Sequence, residues 1–379
     1  MRVESVWLGM FIGFAYVLCP NLAQAQFSCG STGARGALVV AEGELLTLSI
    51  PDDGLFHFST ITVSGNVEFS RNPGFNPPVV LLSTGDITIN PLGRINVNGL
   101  SGTSIAGGLG GPGGFDGGAP GIAAGTPGAG HGPGAGAPGI GDLVGGNAAY
   151  GGDPFSDFPT DGVPYGSSLL VPIVGGSGGG GDDGFGGGGG GGAILLCSPT
   201  RAIINGTVEA LGGVTGSIAN GSGGAVRILS PFVGGTGLVN VQGGGGWAHG
   251  RIRVDLIDRT GLTVQLFPTE SLSVGSFMAV FPSTVPRLDI VHVAGSDIPP
   301  GTPSPLVFTL PFNSPPSQPI TVRATGFRGT LPVVVVVTPD SGDRIIVETE
   351  IDTDVAPAEA TVNVDLPQNV VVRIHAWTR

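Results

Sequence analysis

Residues 193–213 read AILLCSPTRAIINGTVEALGG, and they contain the pattern that decides the fold. A short apolar strand is followed by a turn, and a second strand with alternating apolar residues ends at two glycines. Alternation with a period of two residues is typical of strands that bury one face. The same unit recurs at residues 56–70, 79–100, 225–244 and 251–267.

This repeat predicts a solenoid, because one unit cannot bury its apolar face alone and stacked units can. We place Val80, Ile194, Val226 and Ile252 at equivalent positions of successive units. The predicted fold class is therefore all-β, with a single-stranded right-handed parallel β-helix over residues 26–270. A sandwich built from hairpins is the alternative, because turns of glycine and asparagine also suit hairpins.

The N-terminal residues 1–25 have the pattern of a secretory signal peptide. Arg2 precedes an apolar run over residues 6–18, and Ala23-Gln24-Ala25 precedes the expected cleavage point. A membrane span needs about 20 apolar residues, so this run is short for an anchor. We therefore expect a protein that is secreted, at the cell surface or periplasmic, with no membrane span after cleavage.

Two cysteines remain after removal of the signal peptide, Cys29 and Cys197. In an oxidising compartment they can form a disulfide bond between the N-terminal segment and the middle of the solenoid. Two unpaired buried thiols are the alternative, and the sequence leaves both open.

The composition narrows the range of partners and chemistries. The chain has 379 residues, 72 of them glycine, and a formal net charge of −13. It contains no lysine, which excludes a lysine-containing phosphate loop and Schiff-base catalysis. An acidic protein repels the phosphate backbone, so nucleic acid is not an expected partner.

A glycine-rich insert occupies residues 101–192 and interrupts the repeat. It contains no Lys, Arg or Glu, and its glycines do not keep the strict period of three that a collagen triple helix requires. Two structures remain open for this insert. One is a flexible loop, and the other is a compact bundle of polyproline II segments packed through their glycines.

The composition changes near residue 283, where glycine becomes rarer and proline and valine increase. About seven short strands are predicted over residues 287–379, which favours a small immunoglobulin-like or fibronectin-like β-sandwich. Residues 331–337 are continuously apolar, as expected for a strand that is buried on both faces. Residues 271–286 are predicted to be a linker.

Carboxylates in two places suggest a calcium hypothesis, and no other cofactor is expected. The stretch 178–186, GGGGDDGFG, formally fits one copy of a calcium-binding nonapeptide repeat. Acidic residues also alternate along one predicted strand, which places them on one face. The candidate ligands are Asp182, Asp183, Glu348, Glu350, Asp352 and Asp354. The alternatives are a tight glycine turn and a solvated edge strand.

Other fragments suggest carbohydrate chemistry. Trp247 and His249 lie in a glycine turn before a strand, where an exposed indole can stack on a sugar ring. Pieces of a polygalacturonase-type signature occur as Asp182-Asp183, Gly130-His131-Gly132 and Arg251-Ile252-Arg253, but their order is wrong for that family.

Further charges fall on predicted strands of the solenoid. We expect them to form a ladder of paired charges on one outer face. They are Asp86, Glu209, Arg227, Arg253 and Asp255.

The runs GGGGGGGAILL, IINGTVEALGG, GSGGAVRILS and GRIRVDL, within residues 79–257, resemble a recurrent type of secreted bacterial glycine-rich protein. The resemblance implies a right-handed parallel β-helix of pectate-lyase-like architecture. It implies no activity, because such solenoids include adhesins, filamentous surface proteins and polysaccharide lyases. The catalytic residues of those enzymes do not map onto this sequence.

These observations favour a secreted or cell-surface structural or adhesive protein without catalytic activity. Its expected partner is a glycan, the extracellular matrix or another copy of the chain. The alternative is a β-helix carbohydrate-active enzyme, a polysaccharide lyase or glycoside hydrolase, with a site that the motifs do not reveal. In a third interpretation the glycine-rich insert is itself the recognition surface.

Overall fold

The computed structural model describes residues 27–378, apart from 72–74, 123–124, 142, 155–157, 217, 284 and 303–304. The predicted signal peptide, residues 1–25, lies outside the described residues. Within the described part the chain is all-β, and its helical elements are the 3₁₀ turns Gly244–Gly246 and Thr269–Ser271. No helix in this part is long and apolar enough to span a membrane.

The chain first winds through successive coils of two or three short strands. These strands are β1 (Leu38–Val40), β2 (Leu45–Ser49), β3 (Leu55–Phe58), β4 (Ile61–Val63), β5 (Asn66–Ser70), β6 (Val79–Ser83), β7 (Ile87–Ile89), β8 (Arg94–Asn96), β9 (Ala193–Cys197), β10 (Arg201–Ile204), β11 (Thr207–Glu209), β12 (Ala225–Leu229), β13 (Phe232–Gly234), β14 (Leu238–Asn240), β15 (Arg251–Asp255), β16 (Gln265–Phe267) and β17 (Leu272–Gly275).

Equivalent strands of successive coils pair in parallel and form three sheets. The first has the order β1-β4-β7-β10-β13, the second β16-β14-β11-β8-β5-β2, and the third β17-β15-β12-β9-β6-β3. The prediction of an all-β chain with parallel sheets is therefore confirmed. The glycine-rich insert interrupts this winding between β8 of the second sheet and β9 of the third.

Side chains that point inward stack in rows along the solenoid. In the third sheet, Leu81 is opposite Leu196, which is opposite Ile228, which is opposite Val254. All four are fully buried in one core with the inward residues of the other two sheets. Burial of each such side chain stabilises the fold by about 1.5–3 kcal/mol.

The register of β6 differs by one residue from the predicted one. Val79 is opposite Ile194, whereas the sequence pattern placed Val80 there. A one-residue shift exchanges the two faces of a strand. The pattern could not reveal the shift because all five residues of β6 are buried. Val80 packs on the outer face, which other parts of the chain cover.

Cys29 and Cys197 are joined by a disulfide bond on that outer face of the third sheet. They pack with Leu195, Leu229 and Val80 in a buried cluster outside the main core. The N-terminal segment is thereby attached to the centre of the sheet.

The solenoid continues beyond its predicted end at residue 270. Strand β17 pairs with β15, so the first part of the predicted linker 271–286 belongs to the third sheet. The buried carboxylate of Asp255 holds the segment after β17. It accepts hydrogen bonds from Arg227 and Arg253 and from the amide of Phe277.

The C-terminal region contains two antiparallel four-stranded sheets. Its strands are β18 (Arg287–Val293), β19 (Ser296–Asp297), β20 (Leu306–Thr309), β21 (Ser317–Thr325), β22 (Thr330–Pro339), β23 (Ile345–Asp352), β24 (Glu359–Asp365) and β25 (Val371–Thr378). The sheet orders are β19-β18-β21-β24 and β20-β25-β22-β23. A separate apolar core lies within this region.

Residues 333–337 of the continuous apolar run are buried on both faces, as predicted, whereas Pro332 is exposed. Val333, Val335 and Val337 belong to the core of the C-terminal region. Val334 and Val336 lie on the other face, opposite Trp377 and His375 of β25. That face meets the glycine-rich region, where the ring of Phe115 lies 5.6 Å from the rings of both His375 and Trp377.

Candidate functional site: the glycine bundle and its apolar tip

The described residues of 97–192 pack with residues 211–216 and 218–224 into a compact bundle of extended segments, and residues 186–192 run through its middle. Successive amides of this segment donate to three different neighbouring segments in rotation, with bond lengths of 2.7–2.9 Å. The amides of Gly186, Gly189 and Gly192 donate to the carbonyls of Thr103, Leu100 and Val97. The amides of Gly187 and Gly190 donate to the carbonyls of Gly118 and Phe115, and those of Gly188 and Gly191 donate to Ala219 and Ser222. A repeat of three residues per turn is the period of the polyproline II helix.

Glycine is required in this segment by the closeness of its neighbours. None of residues 186–192 has a positive φ, so the backbone conformation itself does not demand glycine. A Cβ on Gly190 would overlap the carbonyl of Gly176, and one on Gly187 would overlap the carbonyl of Gly179. Neighbouring segments surround residues 186–192 and leave no room for side chains, which explains the unbroken run of glycines.

Residues 175–182 form the antiparallel neighbour of this segment. The amides of Gly176, Gly179 and Asp182 donate to the carbonyls of Gly191, Gly188 and Phe185. The stretch that fitted a calcium repeat is thus two glycine segments joined by a turn at residues 182–185.

Five turns of the chain meet at the end of the bundle where residues 182–185 lie. The amide of Gly186 donates to Thr103, and the amide of Gly121 donates to Asp182. Gly139 lies against the Asp182 carboxylate, and Gly216 lies against the Phe185 ring. We call this end the tip, formed by residues 103–106, 182–185 and the described residues of the stretches 121–125, 140–144 and 214–218.

Each turn of the tip exposes at least one large apolar side chain, and Ile105 is 78% exposed. The exposed residues are Ile105, Ile122, Ile140, Leu143, Val144, Phe185, Val214 and Ile218. Isolated exposed apolar side chains are common, but a group that converges from five turns is typical of an interaction surface. The described charged residues of the tip are Asp182 and Asp183.

The described part of the chain contains no group of three or more His, Cys, Asp or Glu side chains that could hold a metal ion, so the calcium hypothesis gains no support there. Calcium takes about six to eight oxygen ligands. Asp182 and Asp183 lie on an exposed turn, and the Asp182 carboxylate accepts a bond from the Asp183 amide.

The acidic residues of the C-terminal region lie on an exposed edge. Glu348, Glu350 and Asp352 share the exposed face of β23, which is the edge strand of its sheet. Asp354 lies in the following turn, where its amide donates to Asp352. The solvated edge strand, the alternative to calcium, accounts for their positions.

The predicted glycan contacts separate into one exposed and one largely buried residue. Trp247 is 44% exposed and lies directly after the turn Gly244–Gly246. His249 is turned inward, with Nε2 lying 3.3 Å from the Glu270 carboxylate. Burial lowers the pKa of His249 although Glu270 raises it. Of the two predicted contacts, the turn therefore exposes the Trp247 indole to a sugar and keeps the His249 imidazole beside Glu270.

The fragments of the glycosidase signature do not come together. Asp182 and Asp183 are at the tip, His131 is buried where the bundle meets the C-terminal region, and Arg253 is bonded to Asp255 on the third sheet. In the described structure these groups therefore lie in three separate places and do not surround a common cleft.

The charged residues expected on one outer face lie on different sheets. Asp86 pairs with Arg201 beside the first sheet, and Glu209 pairs with Arg94 in the second. Asp255 pairs with Arg227 in the third. The prediction of a single ladder was wrong, because the solenoid turns between these positions.

The tip residues were missed as individual candidates. Part of the sequence signal was present, since Ile105, Ile122 and Phe185 interrupt glycine-rich stretches. Their convergence depends on the packing of the bundle. No protein-family model, curated protein or solved structure matches this chain.

Proposed function

We propose that this chain is a secreted or cell-surface structural or adhesive protein without catalytic activity, and that the tip of the glycine bundle is its contact surface. The observation that carries the proposal is the convergence of exposed apolar side chains from five turns on one end of a hydrogen-bonded bundle. In this proposal the solenoid supports the bundle, and the disulfide and signal peptide belong to an extracellular protein.

The chemistry of the tip favours a particular target. Its aliphatic side chains suit an apolar patch on a matrix or surface protein better than a bare glycan, which needs more polar partners. Asp182 and Asp183 would repel the same residues of a second copy, so self-association through the tip is disfavoured. A glycan remains the target to test beside the matrix protein.

The finer fold assignment is part of the same proposal. We infer that the solenoid is a right-handed β-helix, since crossover connections between parallel strands are right-handed in about 98% of cases. We also infer that the C-terminal region is an immunoglobulin-like or fibronectin-like sandwich, because two four-stranded antiparallel sheets enclose its core. A crystal structure would test both assignments.

The function is tested with the purified chain 26–379 on a glycan array and a panel of matrix proteins, with and without calcium. The tip variant replaces five exposed side chains by serine: Ile105→Ser, Ile122→Ser, Ile140→Ser, Leu143→Ser and Phe185→Ser. We expect the native chain to bind a matrix protein and the tip variant to bind at least tenfold more weakly.

The matched control removes exposed apolar side chains from the solenoid instead, with Val39→Ser, Leu45→Ser and Leu92→Ser. It should bind as the native chain does, and both variants should keep the native melting temperature. If both variants weakened binding to the matrix protein equally, the tip would not be the contact surface. Release of reducing ends or unsaturated sugars in the same wells would establish the enzyme alternative.

A further inference from the structure

A cavity of about 590 Å³ lies between the glycine-rich region and the C-terminal sandwich. Small-molecule sites commonly have volumes of about 300–1,000 Å³. One wall comes from Tyr150 and from residues within 165–174 of the glycine-rich region, and the other comes from β18, β20, β25 and the turn at Phe327. The cavity is distinct from the tip.

The lining of the cavity is mainly apolar. Tyr150 and Tyr165 stack with their ring centroids 4.5 Å apart. Their hydroxyl groups donate hydrogen bonds to the carbonyls of Val174 and Gly175, so the two tyrosines present ring carbons to the cavity. Leu306, Phe327 and Trp377 complete the opposite wall. An apolar chain or ring system is the body that fits these walls.

The polar groups of the cavity include an ion pair with no net charge. Arg287 Nε donates to Asp289 Oδ2 at 2.8 Å, and the amide of Gly301 donates to Asp289 Oδ1 at 2.9 Å. The Asp289 side chain is buried, whereas that of Arg287 is 54% exposed. Within the described residues, the terminal Nη atoms of Arg287 form no hydrogen bond to protein. The hydroxyl groups of Ser167 and Thr378 lie along the same cavity.

We propose that this cavity binds an uncharged amphiphile, with an apolar body in the cavity and a hydroxylated head at Arg287. The guanidinium Nη atoms donate to head-group hydroxyl oxygens, and the oxygens of Asp289 accept from those hydroxyls. An anionic head gains little, because Asp289 neutralises Arg287 and the whole chain carries a net charge of −13. A cationic head is disfavoured because the carboxylate of Asp289 is already paired.

The test is isothermal titration calorimetry of the purified chain 26–379 with dodecyl β-D-glucoside below its micelle concentration. The comparison ligands are dodecanoate, dodecyltrimethylammonium and free glucose. We expect saturable binding of one glucoside per chain, and at least tenfold weaker binding of each comparison ligand. Equal binding of either charged ligand would overturn the assignment of ligand class, and no binding of the glucoside would overturn the site.

Two variants locate the binding. Ala376→Phe fills the interior, and Ser167→Trp covers the cavity from an exposed position. Each should weaken glucoside binding at least tenfold. Ser168→Trp is the matched control, since Ser168 is also exposed and does not line the cavity. Unchanged binding in Ser167→Trp would overturn the proposal even if Ala376→Phe failed to fold. The tip variant should bind the glucoside normally, so this test is independent of the proposed adhesive function.

Discussion

At the scale of single residues, Gly190 shows how space dictates residue type in the bundle. A methyl group at this position would overlap the carbonyl of Gly176, in a segment that neighbouring segments surround. Gly190→Ala should therefore lower the free energy of unfolding by about 3 kcal/mol or more. Gly184→Ala is the matched control, because a Cβ at this turn has no atom within 4 Å. Urea denaturation of both variants is the measurement, and equal midpoints would contradict the packing argument.

A second prediction at this scale concerns the buried carboxylate of Asp255. Asp255→Asn leaves Arg227 and Arg253 buried without their counter-charge. Loss of one partner from a buried ion pair costs about 3–5 kcal/mol. The control is Asp86→Asn, which breaks a more exposed pair with Arg201 and should cost less than about 1 kcal/mol. A comparable shift in both urea midpoints would show that burial does not matter here.

At the scale of elements, the disulfide joins the N-terminal segment to β9 across a sequence separation of 168 residues. Closing such a long loop in the unfolded chain stabilises the native state by about 3–5 kcal/mol. The double variant Cys29→Ala/Cys197→Ala should lose this amount in chemical denaturation. Its midpoint should not respond to a reductant, whereas that of the native chain should fall. An unchanged denaturation midpoint of the native chain after full reduction of the disulfide would contradict the prediction.

At the scale of the whole molecule, two buried histidines, His131 and His375, lie where the bundle meets the C-terminal region. Burial lowers the pKa of His131 to about 4, with a further lowering by Arg373 and opposing effects of Asp116 and Asp340. Burial also lowers the pKa of His375 to about 3, and His131 and Arg373 lower it further. Both histidines are therefore neutral in the folded protein at neutral pH.

This interface should make the protein sensitive to acid. The unfolded chain binds protons at these histidines near pH 6.5, before the folded chain does. Their contribution to stability is thus complete above about pH 6.5 and is lost as the pH falls towards 4 and then 3. The variant His131→Asn/His375→Gln should show a shallower fall in unfolding free energy between pH 6.5 and 4 than the native chain. Parallel pH profiles would contradict the assignment.

Particular residues show how far the sequence pattern reaches. The alternation in residues 193–213 predicted the parallel strands, and the apolar run at 331–337 predicted a strand buried on both faces. The pattern failed at β6, where every residue is buried and alternation carries no register. It also failed at β17, which lies within the predicted linker and is recognised as a strand only by its pairing with β15.

The sequence by itself determined the all-β class, the stacking of short strands and the separate C-terminal region, because the period of apolar residues is a local property of the chain. The tertiary structure alone decided that Cys29 meets Cys197, that five turns converge on one tip, and that a cavity opens between the two regions. These depend on contacts between residues far apart in the chain. A glycine tract carries no side-chain pattern, so only packing can show which segments its residues touch.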